Sequence, residues 1–143
     1  SSVPRLRPMR RHLFVSDATR VMERDDPFLW YLGDEELYLR PEGKGLLMSA
    51  CDETEMEPCD AVVAEGANEL LADRMSRTVP ELSELRIAHS WACLRTFTSD
   101  RLPYIGWDRE VPWLFWVAGL GGHGATSSPA VGRRAAELLL DRQ

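Results

Sequence analysis

Trp113-Leu114-Phe115-Trp116-Val117-Ala118-Gly119-Leu120-Gly121-Gly122-His123-Gly124 is the stretch from which the fold is read. Its continuously apolar first half predicts a strand. Gly119, Gly121, Gly122 and Gly124 exclude regular structure in the second half. A helix is predicted to begin between Ala125 and Pro129, since proline is tolerated in a first turn, with Val131, Ala135, Leu138 and Leu139 as its buried stripe. Strand, glycine turn and helix in this order place bare backbone N–H groups and the positive end of a helix at one spot, which suits an anion or developing negative charge. The glycines also let a flat or bulky ligand approach the backbone. A strained connector with no ligand would need them too, so both readings stand. A Walker phosphate loop is excluded, because no Lys-Ser/Thr follows, and a dinucleotide-binding G-x-G-x-x-G is disfavoured by position, since the turn lies near the chain's end instead of opening it. His123 is a candidate base or a loop cap. Ser127 and Ser128 lack a G-x-S-x-G elbow and read as helix-start chemistry.

Upstream, residues 86–97 predict a long strand. Ile87, His89, Trp91, Cys93, Arg95 and Phe97 alternate with Ala88, Ser90, Ala92, Leu94 and Thr96, so the first set shares one face. An arginine on a largely apolar face needs an anion to offset its desolvation. Its partner is either a carboxylate of this chain or the carboxylate of a ligand, which the planar fork of arginine matches well.

The first half of the chain reads as a meandering antiparallel sheet. Residues 12–16, 28–32, 36–40 and 46–50 are short apolar runs separated by breakers such as Gly33-Asp34 and Pro41-Glu42-Gly43. Unbroken apolarity over residues 28–32 predicts burial on both faces. A helix is predicted next, capped by Asp60, stopped by Pro80, and packing Val63, Ala67, Leu70, Leu71 and Met75 on the sheet. The fold class is therefore α+β: a mostly antiparallel sheet with one packing helix, followed by a terminal strand–glycine turn–helix.

A net charge of −6 argues against nucleic acid as a partner. Basic Arg5, Arg7, Arg10 and Arg11 and acidic Asp52, Glu53, Glu55, Glu57 and Asp60 read as solvated surface. Cys51, Cys59 and Cys93 form an odd set without metal-type spacing, which fits a reduced, cytoplasmic setting and no metal site. No apolar stretch is long enough for a membrane helix. The start, Ser1-Ser2-Val3-Pro4, reads as a cut boundary.

Trp91-Ala92-Cys93-Leu94-Arg95-Thr96-Phe97-Thr98-Ser99-Asp100-Arg101-Leu102-Pro103-Tyr104-Ile105-Gly106 resembles the C-terminal signature of the D-amino acid oxidase, glycine oxidase and sarcosine oxidase superfamily. There, G-x-R-P or C-x-x-T leads into T-P-D-x-x-P-x-I-G, and A-G-h-x-G-H-G follows an apolar strand. Val117-Ala118-Gly119-Leu120-Gly121-Gly122-His123-Gly124 resembles that second motif, and Leu37-Tyr38-Leu39-Arg40-Pro41 a Y-x-x-P strand of the substrate domain. The resemblance implies FAD as cofactor. It places Gly119, Leu120, Gly121, Gly122, His123, Gly124 and Ala125 against the flavin ring, where the helix start would stabilise charge developing on reduction. It implies that Arg95 holds the substrate carboxylate, that Tyr38 lines the substrate pocket, and that no protein base is required, because the flavin takes the hydride at N5. Cys93 stands where sarcosine oxidases bond flavin covalently; a buried free cysteine is the other reading. Thr96 and Ser99 depart from the prolines usual there, which leaves the substrate open.

The resemblance divides the chain into a partial substrate-binding domain, residues 1–97, and a return segment of the FAD-binding domain, residues 98–143. Nothing before Pro58 serves as the nucleotide-binding G-x-G-x-x-G unit. The expected parent oxidises the C–N bond of an amino acid or secondary amine, and this chain alone is expected to be inactive. Its expected partners are the small-molecule substrate and the absent N-terminal FAD-binding half. Apolar residues 113–117, left uncovered by the missing half, predict self-association. The competing reading is a non-catalytic binding or assembly module that keeps the fold.

Overall fold

In the computed structural model, residues 4–19 and 22–141 are described; residues 1–3, which carry most of the boundary reading, lie outside them. Two compact units form.

The larger unit comprises Arg10–Thr54 and Cys59–Cys93. Its sheet begins with β1 (Arg7–Ser16), in which Phe14 is fully buried. The strand β2 (Leu29–Leu32) pairs antiparallel with β3 (Glu36–Glu42), and β3 with β4 (Gly45–Ser49), which in turn pairs with β1. The order is thus β2-β3-β4-β1, with β5 (Thr54–Glu55) beyond β1 and β6 (Ile87–Phe97) also paired to β1. Alternation on β3 sends Leu37 and Leu39 into the core and leaves Tyr38 and Arg40 half-buried on the opposite face. Between two neighbours, β4 is buried along its whole length.

The helix α1 (Ala67–Thr78) covers this sheet, packing Ala67, Leu71 and Met75 against Phe14, Leu37, Leu39, Leu46 and Met48. Each large side chain buried there contributes roughly 1.5–3 kcal/mol. The Arg74 guanidinium ties the helix to the sheet, donating to the Glu36 carbonyl at 2.9 Å and to the Ala50 carbonyl.

Three expectations are corrected. The helix begins at Ala67, not Asp60: Gly66 at φ 80° breaks the chain, and Asp60 is exposed. The strand β2 is exposed at every residue instead of buried on both faces, because it lies at the sheet edge. On β6 both faces are partly open and only Phe97 is fully buried, so its alternation does not separate an inner from an outer face.

The second unit comprises residues up to Met9, Glu55–Pro58, and the chain from Leu94 onward. Here β7 (Tyr104–Trp107) and β8 (Phe115–Ala118) form an antiparallel hairpin with Tyr104 opposite Ala118. The helix α2 (Gly124–Leu140) packs on it, and the Trp107 indole N–H donates to the Leu138 carbonyl at 3.3 Å. Helix formation starts earlier than expected, at Gly124, which puts Pro129 in the second turn. The expected burial of its stripe is also corrected: with only the hairpin packed on it among the described residues, Val131, Ala135 and Leu138 are half-buried and Leu139 is exposed. Proline lacks the N–H that would meet the Ala125 carbonyl; the Ser128 hydroxyl donates to that carbonyl instead, at 2.9 Å. Among the described residues no helix is long and apolar enough to cross a membrane.

Candidate functional site

The end of β6 and the glycine turn are knitted together within the second unit. The Gly121 N–H donates to the Thr96 carbonyl at 2.9 Å, and Phe97 bridges to Leu120. Gly119, Gly121 and Gly122 have φ of 70°, 56° and 87°, in the left-handed region where a side chain is strained. Each also lies flush against a β6 or post-β6 side chain. A Cβ on Gly119 would come within 2.6 Å of the Thr98 methyl, and one on Gly122 within 2.6 Å of Arg95 Cδ; one on Gly121 would overlap the Phe97 ring. The fold therefore needs these glycines for its own packing, and the same packing brings Arg95 beside the start of α2. The Arg101 guanidinium lies over the Phe97 ring, 4.6 Å from its centroid.

Along the turn runs an open cleft of about 590 Å³, lined by Leu6, Leu94, Arg95, Thr96 and residues 117–122 and 124. Arg95 is half-buried, and among the described residues its guanidinium has neither an ion pair nor a hydrogen bond. Among the described residues no carboxylate of this chain pairs with it. At the start of α2 the amides of Gly124, Ala125 and Thr126 have no acceptor within the helix, as at any helix N-terminus. Thr126 and Ser127 turn their hydroxyls to the His123 carbonyl, at 3.0 and 2.8 Å. His123 itself is exposed, and its side chain makes no capping bond.

The remaining candidates lie in the larger unit. Tyr38 is half-buried on β3, with its ring 5.3 Å from that of Phe28. Cys93 is half-buried on β6, and its thiol reaches the Arg11 carbonyl at 3.8 Å. Arg95, Gly119, Leu120, Gly121, Gly122 and Gly124 are thus brought together, whereas Tyr38 and Cys93 belong to the other unit.

Two supports of the site escaped the sequence reading. One is Phe97 with Thr98, the floor under Gly121 and Gly119. The other is buried Asp108, which closes the loop between β7 and β8: its carboxylate accepts from the Trp116 indole and the backbone N–H groups of Glu110 and Val111, each at 2.8 Å. Hydrogen bonds from Trp116, then from Val111 and Glu110, hold this carboxyl below its usual range. An Asp whose side chain bonds the backbone two residues on is a turn signal that could have marked it.

Fold and site define an α+β, mostly antiparallel protein whose terminal strand–glycine turn–helix lies against Arg95 of β6, an arginine unpaired among the described residues. Residues 1–138 match the family model DAO, FAD dependent oxidoreductase, and the chain belongs to that family. FAD is accordingly the cofactor of the complete protein. Bare turn backbone and open helix-start amides fit such a flat, anionic group on one side of the turn, while Thr98, Phe97 and Arg95 fill the other. Among its relatives, FAD-dependent oxidoreductase domain-containing protein 1 of Xenopus laevis is 29% identical over 140 residues, covering 94% of this chain and 28% of that protein. Glycine oxidase of Geobacillus kaustophilus is 34% identical over 80 residues, 56% of this chain and 21% of the enzyme. Among solved structures, L-proline dehydrogenase from P. horikoshii superposes with a TM-score of 0.80 at 22% identity over 99% of this chain and 37% of that one. Glycine oxidase from G. kaustophilus does so with 0.76 at 23% identity, over 97% and 36%. The chain thus spans 28% of the length of the Xenopus relative and a little over a third of these solved chains.

Proposed function

We propose that this chain is the substrate-facing C-terminal part of an FAD-dependent enzyme that oxidises the C–N bond of an amino acid or secondary amine. The observation that carries this reading is Arg95, half-buried without an ion pair or hydrogen bond among the described residues and lying against Gly122 of the turn. An arginine so placed is a ready clamp for a carboxylate on the substrate. Bound flavin supplies the hydride acceptor. The protein's part is to hold the substrate carboxylate with Arg95, to line the pocket with Tyr38, and to offer residues 119–125 to the ring.

Residues 1–97 are assigned to the substrate-binding domain and residues 98–143 to the return segment of the FAD-binding domain, with the N-terminal FAD-binding half as the principal partner. Alone, the chain is expected to be inactive and to self-associate through apolar residues such as Trp113, which is 81% exposed. Cys51, Cys59 and Cys93 are all free thiols, in keeping with a cytoplasmic assignment. For Cys93, intact mass after denaturation decides between strand residue and flavin attachment point.

The test is Arg95→Met in the longest protein expressed from the gene. Losing one partner of a buried charge-assisted pair costs about 2–5 kcal/mol, so kcat/KM for a carboxylate-bearing amine is expected to fall at least ~30-fold, with flavin still bound. Unchanged kinetics would remove the carboxylate clamp and with it the reading.

A further inference from the structure

The strand β2 is an anomaly in an otherwise ordinary sheet. It is apolar along its length, yet Leu29, Trp30, Tyr31 and Leu32 are 39%, 46%, 45% and 69% exposed. Side chains alternate across a strand, so apolar surface lies open on both faces. Phe28 extends the patch, 48% exposed and packed edge-on to Trp30 with ring centroids 6.2 Å apart. The strand ends the sheet order and pairs only with β3 among the described residues. In an antiparallel ladder alternate residues direct N–H and C=O away from their partner, so the free edge of β2 is a template for one more strand. No charge or proline within β2 blunts that edge.

The flanks decide what such a strand would carry. Residues 23–36 hold Glu23, Asp25, Asp26, Asp34, Glu35 and Glu36 against the single cation Arg24. Arg77 pairs with Glu35 at 2.6 Å, and Asp26 accepts from the Glu23 N–H at 2.7 Å. Asp25 precedes the strand and Asp34 follows it, so both ends of the edge are acidic. A second copy pairing β2 with β2 across a two-fold axis would bring the Asp34 end of one chain to the Asp25–Asp26 end of the other. Like charges so placed oppose that pairing.

We infer that β2 is a docking edge for an extended basic segment of another protein, one whose apolar side chains alternate with Lys or Arg. Its backbone would extend the sheet beyond β2, its apolar residues would cover one face of the Phe28–Leu32 patch, and its cations would meet Asp25, Asp26 and Asp34. The inference does not depend on the flavin chemistry.

The test is fluorescence anisotropy of a labelled peptide of alternating Val and Lys titrated with the full chain, read beside Trp30 indole shifts in NMR spectra. Saturable binding is expected. It should weaken at least about tenfold, or ~1.4 kcal/mol, when a central Pro interrupts the peptide, when Glu replaces Lys, or in the chain carrying Asp25→Asn, Asp26→Asn and Asp34→Asn. Absence of binding, or equal binding of the Glu or Pro peptide, would overturn the inference. So would a concentration-dependent dimer of the chain that Trp30→Lys abolishes, since a second copy would then own the edge.

Discussion

The side chain of Arg95 lies across Gly122 so closely that a Cβ on the glycine would stand 2.6 Å from Arg95 Cδ and 2.8 Å from Nε. Because Gly122 also has φ 87°, Gly122→Ala is expected to cost about 1–3 kcal/mol, through left-handed strain and displacement of the arginine. Gly124 has an ordinary φ and only the Leu120 side chain nearby, at 3.2 Å. Gly124→Ala in the first turn of α2 is expected to be neutral or to stabilise by up to ~1 kcal/mol. Urea unfolding of the two variants checks the contrast; equal midpoints would contradict it.

His12 is a clamp with no spare bonds. It is 3% exposed, its Nδ1 meets the Asp52 carboxylate at 2.7 Å, and its Nε2 accepts the Ala64 N–H at 3.0 Å. Accepting at Nε2 puts the proton on Nδ1, which donates to Asp52. His12→Ala removes the acceptor of the Ala64 N–H and leaves Asp52 only the backbone N–H of residue 12, at 3.1 Å, at about 1–3 kcal/mol for a buried polar group that loses its partner. A loss of about 2–4 kcal/mol in unfolding free energy is expected, with faster hydrogen exchange at Ala64.

Asp108 makes acid stability testable. Its folded pKa is depressed, chiefly by the Trp116 indole and then by Val111 and Glu110. A depressed carboxyl contributes stability that is full above its unfolded value of about 3.9 and is lost as pH falls through the folded value. Asp108→Asn is expected to be less stable at neutral pH and to decline less steeply in acid below pH ~4. Tryptophan fluorescence during acid titration reads this out, since Trp116 is the direct partner.

The three thiols are expected to separate by reactivity. Cys59 is exposed, Cys93 is half-buried, and Cys51 is buried with its thiol pushed up to about 11, mainly by that burial. Iodoacetamide at pH ~8 consumes thiolate, so labelling should run Cys59, then Cys93, with Cys51 reacting only on unfolding. Mass spectrometry of timed digests gives the order; early labelling of Cys51 would contradict the burial described.

Periodicity carried much of the fold. The apolar run at residues 36–40 and the spacing of Ala67, Leu71 and Met75 both contain residues that reach the core, Leu37 and Leu39 in the first case. What failed were features that depend on distant partners. The start of α1 lies later than the periodicity suggests because Gly66 breaks the chain at φ 80°, and the segment before it is held by His12 reaching Ala64, a bond with no local signature. Burial of β2 was misjudged because an apolar run reads the same whether its cover is the chain's own fold or something outside it. The strand β7 went unseen, since Tyr104-Ile105-Gly106-Trp107 is too short to show a period and was absorbed into a motif. At the site, the turn and Arg95 were legible from residue type and spacing. Their mutual fit was not, because it arises from β6 and the turn packing side by side.

The most direct test of the central claim is anaerobic mixing of the longest flavin-loaded protein expressed from the gene with a panel of amino acids and secondary amines. Bleaching of the visible flavin absorption by at least one carboxylate-bearing amine, and loss of that bleaching in Arg95→Met with flavin still bound, is the expected result. A flavin that none of them reduces, or one that Arg95→Met leaves equally reducible, would contradict it.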